Sequence, residues 1–209
     1  NSERLSGKNL RIFVNKLSLY EHKLKQLKDV KDLPFDRIIV SSEDKLVLAL
    51  AIKYGFQGHR RDPKYSTSDV PMSDVYRYIA NEVPGDDIAW INVTNPLVTA
   101  HHYKNALFAW KAIKETHESL LSVYKVQKYL WTIEGDPLFT PYPHPRSQDL
   151  EETYAQSFAI NICRRESLIK NGTFATDTPY FFEMDKYTST KIDYQEDLDF
   201  CRILWKRKS

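Results

Sequence analysis

Cysteine is scarce: 209 residues hold two, Cys163 and Cys201. Two such distant thiols make neither a disulfide framework nor a spaced metal-binding set. Reduced thiols in a cytoplasmic protein are the expectation. No apolar run approaches the roughly 18 residues of a membrane-spanning helix, and no secretory leader pattern is visible. Without such a leader, the glycosylation-like Asn92-Val93-Thr94 and Asn171-Gly172-Thr173 are read as chance. Neither sign of charge dominates. Thirty Lys and Arg against 28 Asp and Glu give a formal net charge of +2, which argues against a nucleic-acid or anionic-membrane partner. Thirteen tyrosines therefore read as core and subunit-contact packing, because the basic stripe of an RNA-stacking sheet is missing. The G-x-x-x-x-G-K-[ST] spacing of the common P-loop is absent too. No internal repeat or low-complexity linker divides the chain, so residues 1–209 are read as one domain.

Alternating strand and helix patterns fill the first 126 residues. Helical spacing at Leu17, Tyr20, Leu24 and Leu27 predicts a helix over 17–30. Strands are expected at 36–42, 56–60, 87–93 and 119–126. Helices are expected at 43–54, from a cap at Ser73 or Asp74 to about residue 82, and at 99–118. This order predicts an α/β fold with a mostly parallel central sheet flanked by helices. The pattern then changes. Residues 129–133 and 138–142 around Gly135-Asp136-Pro137 predict a hairpin. An irregular segment follows, then a strand at 154–164, a short helix at 166–171, a strand at 180–184 and a terminal helix at 194–206.

The first nine residues form a polar loop, Asn1-Ser2-Glu3-Arg4-Leu5-Ser6-Gly7-Lys8-Asn9. Such a loop can place backbone N–H groups and an ammonium around a polyphosphate. A strand is expected to feed a loop of this kind, and the sequence opens inside the loop.

The loop resembles the S-x-R-x-x-x-K-N signature of the sugar-acid cytidylyltransferases, and later segments match the same family in the same order. Phe35-Asp36-Arg37-Ile38-Ile39-Val40-Ser41-Ser42 resembles its F-D-x-I-I-V-S-T strand. Arg61-Asp62-Pro63, Ser68-Asp69 and Ser73 resemble its R-P…S-D…S loop. Thr94-Asn95-Pro96-Leu97 resembles T-S-P-L, and Arg146-x-Gln148-Asp149-Leu150 resembles R-x-Q-D-L. Ser189-Thr190-Lys191-Ile192-Asp193, with Glu196-Asp197, resembles S-x-D-I-D…E-D. The resemblance implies a Rossmann-like, nucleotide-diphospho-sugar transferase-like fold. It also implies a reaction that joins a sugar acid to the α-phosphate of CTP and expels pyrophosphate. Charge neutralisation and positioning dominate such chemistry. On this resemblance Lys8, Arg4 and Lys191 are the catalytic candidates. Ser2, Asn9, Arg61, Ser73 and Asn92 would bind nucleotide, with Arg60 competing for the place of Arg61. Asp193 would hold Mg²⁺, although it also stands where a helix cap is expected.

Three departures from the pattern bear on function. Lys191 replaces the first aspartate of D-I-D. Asn92 replaces a glutamine. Ser157-Phe158-Ala159 replaces N-G-A, which places a phenyl ring on the sugar side. Arg146, Gln148, Ser157 and Phe158 are the sugar-binding candidates. Residues 127–152, with Tyr129, Trp131, Phe139 and Tyr142, are expected to protrude and join a homodimer. The active reading is cytidylyl transfer to a nonulosonic or related 2-keto-3-deoxy sugar acid. The alternatives are a catalytically silent nucleotide-binding homologue or partner subunit, favoured by Lys191, and a nucleotidyltransferase using another base or acceptor.

Overall fold

The structure, a computed structural model, describes residues 5, 7–28 and 35–208. Ser2 and Arg4 lie outside the described residues. A 3₁₀ turn at Lys8–Leu10 leads into β1 (Ile12–Val14) and β2 (Leu17–Ser18), then α1 (Leu19–Lys28). The β1–β2 turn, Asn15-Lys16, has φ of 49° and 63°, the left-handed pair that tight hairpins require. This hairpin takes the first turn of the helix expected from residue 17. Next come β3 (Ile39–Ser42), α2 (Lys45–Lys53), β4 (Gln57–Arg60) and α3 (Met72–Glu82). Ser73 thus sits inside the first turn of α3, and Pro71 is the residue that precedes the helix. β5 (Asp87–Ile91), α4 (Ala100–Ile113), β6 (Ser119–Val126), β7 (Thr153–Arg164), α5 (Arg165–Asn171), β8 (Pro179–Glu183) and α6 (Gln195–Lys208) complete the chain.

The α/β architecture is as expected, but the four-stranded sheet, in the order β5-β7-β6-β8, is mixed rather than mostly parallel, and β3 and β4 form a separate two-stranded sheet. β3 pairs β4 in parallel, and β6 pairs β8 in parallel. β7 lies between β5 and β6 and is antiparallel to both. The reversal arises because β7 follows β6 through a loop, with no crossover helix to restore direction. On α4, Tyr103, Ala106, Leu107 and Trp110 recur on one helical face and pack with Leu120, Ile160 and Ile162. Phe35, Ile38, Ala89 and Ile91 join the same core, so the two parallel-paired regions share it. Cys163 and Cys201 are free thiols in different core clusters. Burial pushes both up to about 12. Among the described residues, no helix is long and apolar enough to cross a membrane.

The hairpin expected at 129–142 is reduced to one antiparallel bridge, Trp131 to Pro137, flanked by the Thr132 amide on Asp136 O and the Leu138 amide on Leu130 O, both at 2.8 Å. Pro137, Pro141, Pro143 and Pro145 remove the amide donors that a longer ladder needs. Aromatic contacts add to these bonds. Phe139 meets Tyr129 and Trp131 edge-on at 5.2 and 5.4 Å, and His144 stacks on Tyr129 at 5.1 Å.

β7 carries the irregularity that shapes the site. Leu121 faces Asn161, but Val123 faces Gln156, so β7 bulges between those points. Phe158 sits in the bulge at φ 58°, a conformation that costs a side-chain-bearing residue about 1–2 kcal/mol. Glycine would adopt it freely, which explains the glycine of the N-G-A pattern. Ser122 fills the bulge: its hydroxyl accepts from Ser157 Oγ at 2.8 Å and from the Ile160 amide at 3.1 Å.

Candidate active site

Lys8 and the segment Lys191-Ile192-Asp193, nearly the whole chain apart in sequence, converge at one point. The Ile192 amide donates to Thr94 O at 2.8 Å, which lays this segment against the exit of β5. Lys8 Nζ donates to Ile192 O at 3.0 Å and to Asp193 Oδ1 at 3.1 Å. Lys191 Nζ stands 3.2 Å from Asp193 Oδ2. Among the described residues, one carboxylate therefore lies between two ammoniums. Partial burial opposes ionisation of Asp193. The hydrogen bonds from Lys8 and Lys191 outweigh it and hold the carboxyl below its ordinary pKa. Asp197 reaches back at the start of α6, its Oδ2 accepting from the amides of Asp193 and Tyr194 at 2.9 and 2.8 Å.

A cavity of about 340 Å³ opens beside this cluster, lined in part by Tyr124, Gln156, Ser157, Lys186, Ser189 and Lys191. The Ser189 hydroxyl is buried and has no hydrogen-bond partner among the described residues. Lys191 Nζ lies 5.6 Å from the centre of the Phe158 ring, within cation–π range. Ser157 and Lys191 thus line one cavity, and the Phe158 ring lies against the Lys191 ammonium. Lys186 and Tyr124 carry no signal in the sequence, and Ser189 enters there only as the first residue of the S-x-D-I-D match. A lysine in a loop carries no local signal until the fold closes around it.

The remaining candidates are placed as follows. Asn9 is exposed in the 3₁₀ turn beside Lys8. Asn92, just after β5, accepts from the Trp90 indole at 3.1 Å. Arg61 folds back on β3, donating to Ser41 Oγ at 3.2 Å and Ser41 O at 2.9 Å. Its burial lowers its pKa against the opposing charges of Glu43 and Tyr78. Ser73 is half-buried at the start of α3, and Arg60 is exposed. Tyr65 and Tyr78 stack at 4.1 Å in the same region, a feature the sequence did not signal. Arg146 is 73% exposed and forks onto Asp149 at 2.6 and 3.1 Å. The Gln148 carbonyl accepts from Gln127 at 3.1 Å. Neither residue joins the Lys8–Asp193–Lys191 cluster among the described contacts.

Asp193 is the carboxylate at this centre that could meet a metal, and no group of three or more His, Cys, Asp or Glu suited to an ion exists among the described residues. That donor set fits Mg²⁺ only as an ion brought chiefly by substrate phosphates, which commonly need one or two protein carboxylates.

An α/β fold with this cluster at the exit of β5 defines a nucleotidyltransferase-like scaffold. The cytidylyltransferase family model matches residues 1–208, and the chain belongs to that family. It is similar to N-acylneuraminate cytidylyltransferase of Streptococcus agalactiae, with 24% identity over 78% of this chain and 41% of that protein. It is also similar to pseudaminic acid cytidylyltransferase of Campylobacter jejuni, with 23% identity over 82% of this chain and 79% of that protein. The chain thus spans well under half the length of the N-acylneuraminate relatives it matches. A solved CMP:2-keto-3-deoxy-manno-octonic acid synthetase complexed with CTP shares the fold at a TM-score of 0.72 and 15% identity. The likeness covers 100% of this chain and 95% of that one. The 4-diphosphocytidyl-2C-methyl-D-erythritol synthase of Anaerococcus prevotii follows at 0.68 and 14% identity, over 96% and 92%.

Proposed function

We propose that the protein transfers CMP from CTP to a nonulosonic or related 2-keto-3-deoxy sugar acid and releases pyrophosphate. An acceptor hydroxyl oxygen bonds to the α-phosphorus as the bond from that phosphorus to the bridging oxygen of pyrophosphate breaks. The hydroxyl proton passes to solvent, and the charge that accumulates is negative. The observation that carries this reading is the paired ammonium cluster of Lys8 and Lys191, with Lys191 lining a cavity that Lys186 and Ser189 share, in a member of the cytidylyltransferase family. The two cations would neutralise phosphate oxygens. Lys186, Lys191 and the partnerless Ser189 hydroxyl supply charge and a donor for an acceptor carboxylate. Arg61 and Ser73 would seat cytidine, with Asn92 beside them, and Ser2, Arg4 and Asn9 would complete the phosphate loop. Mg²⁺ would be carried on the triphosphate, with Asp193 as its protein carboxylate, and would supply further charge neutralisation. A cytoplasmic location, where CTP is made, goes with this reading.

Residues 127–152 are proposed to join a homodimer. Ile133 is 96% and Tyr142 87% exposed, and such apolar surface suits an interface. Arg146 and Gln148 would then act at the partner's site. Sedimentation at micromolar concentration is expected to give twice the chain mass, and Ile133→Glu with Trp131→Glu should give monomers. A wild-type monomer throughout that range removes this interface.

The silent-homologue reading is favoured by one observation: both oxygens of Asp193 already face ammoniums. A pyrophosphate-release assay with CTP, UTP, ATP and GTP against a panel of sugar acids separates the readings. Turnover with CTP and one acceptor class supports transfer, and CTP binding without turnover supports the silent homologue.

A further inference from the structure

A buried polar column runs through the molecule to the back of the candidate site. Lys23 on α1 is 2% exposed. Its ammonium donates to the Asn95 carbonyl at 2.8 Å and to the Tyr103 hydroxyl at 2.6 Å. His22 and Gln26 contact the next carbonyl, that of Pro96, at 3.0 and 2.8 Å. Helix α1 therefore fixes the Asn95-Pro96 backbone from three side chains on neighbouring positions.

The fully buried Asn95 side chain then reaches the other way. Its Nδ2 lies 3.1 Å from Ser157 O, 3.2 Å from Ser189 O and 3.4 Å from Thr190 O. Ser157 immediately precedes Phe158 in the β7 bulge, and Thr190 immediately precedes Lys191. A bulge and an irregular loop leave carbonyls without regular ladder partners, and one amide meets both sets. It ties together the two backbone segments whose side chains, the Lys191 ammonium and the Phe158 ring, face each other at 5.6 Å. A serine, as in the T-S-P-L pattern, is too short to span all three carbonyls.

We propose that Asn95, anchored by Lys23, is a positioning residue that sets where Lys191 stands over Phe158 and beside the cavity. Asn95 touches neither phosphate nor acceptor in this account; it acts through Lys191. Asn95 stands where the T-S-P-L pattern has serine, and Lys191 where D-I-D has its first aspartate. Only the kinetic part of the test below rests on the cytidylyl-transfer reading.

The full chain is prepared as wild type, Asn95→Ser and, as a second route to the same column, Lys23→Met. Circular dichroism first establishes that each is folded. NMR then reads the Lys191 ε-methylene signals, which a nearby phenyl ring displaces, and hydrogen exchange reads the Ile192 amide bonded to Thr94. In a folded variant the ring-induced displacement is expected to vanish, and Ile192 protection to fall at least tenfold. An Ile169→Val control, which trims a different core cluster, should move neither. In pyrophosphate release, the kcat of Asn95→Ser should fall about tenfold while KM for CTP stays within threefold. Unchanged Lys191 signals and Ile192 protection in either folded variant overturn the proposal, whatever the activity. If the wild type binds but does not turn over CTP, the transfer reading fails, and the NMR and exchange results still decide the positioning role.

Discussion

Replacing Lys191 by aspartate converts the site from two ammoniums and one carboxylate to one ammonium and two carboxylates. The change restores the D-I-D pattern. It removes the ammonium 3.2 Å from Asp193 Oδ2 and its cation–π contact with Phe158. Two unit charges about 4 Å apart interact by about 1 kcal/mol even at the dielectric of water. A dication doubles that, and exchange of a cation for an anion doubles it again, giving roughly 4 kcal/mol toward metal binding. Screening by solvent and repulsion between the new carboxylate and Asp193 reduce the gain. A tenfold tightening, about 1.4 kcal/mol, is the minimum expected. The assay is CMP-sugar formation across a Mg²⁺ titration for wild type, Lys191→Asp and Asp193→Ala. The half-saturating Mg²⁺ of Lys191→Asp should fall at least tenfold, and Asp193→Ala should abolish Mg²⁺-dependent turnover. An unchanged Mg²⁺ midpoint in Lys191→Asp refutes the electrostatic reasoning. Turnover in Asp193→Ala removes the metal role of Asp193. Activity gained in Lys191→Asp from an inactive wild type establishes the silent homologue.

Three further outcomes are expected. Lys8→Ala removes a cation from Asp193; triphosphate affinity and turnover should each fall at least tenfold with the melting temperature nearly unchanged, and wild-type values would remove Lys8 from the phosphate site. Arg61→Ala should lower the preference for CTP over UTP more than it lowers triphosphate binding, as judged by competitive titration; unchanged selectivity moves base reading to another residue, Arg60 first. His22, 4% exposed, has its pKa lowered from 6.5 to about 4, chiefly by burial. The unfolded chain therefore binds more protons between those values, so stability falls as pH drops from 6.5 and the loss is complete below about 4. The lost stability is roughly 3 kcal/mol. Buried Lys23, lowered from 10.5 to about 7 by burial, gives the same sign in its own window: stability rises with pH from about 7 to 10.5. Urea unfolding across pH should show both slopes, and His22→Gln should flatten the acidic one; an identical acidic slope in that variant contradicts the assignment.

Much of the α/β frame was legible because its elements are locally coded. β6 is Ser119–Val126, at the bounds expected from its apolar run, and Thr99 marks the start of α4 through its box with His102. Periodicity misread the first hairpin, because Asn15-Lys16 lacks the glycine that usually announces a left-handed turn. It overextended the hairpin within 127–152: aromatic alternation suggested full strands, and the prolines limit the pairing to one bridge. The site divides in the same way. Lys8, Lys191 and Asp193 could be named from their motifs, and the fold brings all three together. Asn95 and Lys23 could not. A lysine on an amphipathic helix reads as solvated, and only tertiary packing shows that Lys23 points inward to Tyr103 and the Asn95 carbonyl.

Phosphorus NMR of the wild-type chain, incubated with CTP, Mg²⁺ and a panel of nonulosonic and 2-keto-3-deoxy sugar acids, tests the central claim most directly. The account predicts stoichiometric appearance of pyrophosphate and a CMP phosphodiester, with CTP and not UTP, ATP or GTP, for at least one acceptor. Intact CTP with every acceptor, from a folded protein shown to have Lys8 and Lys191 in place, would contradict it.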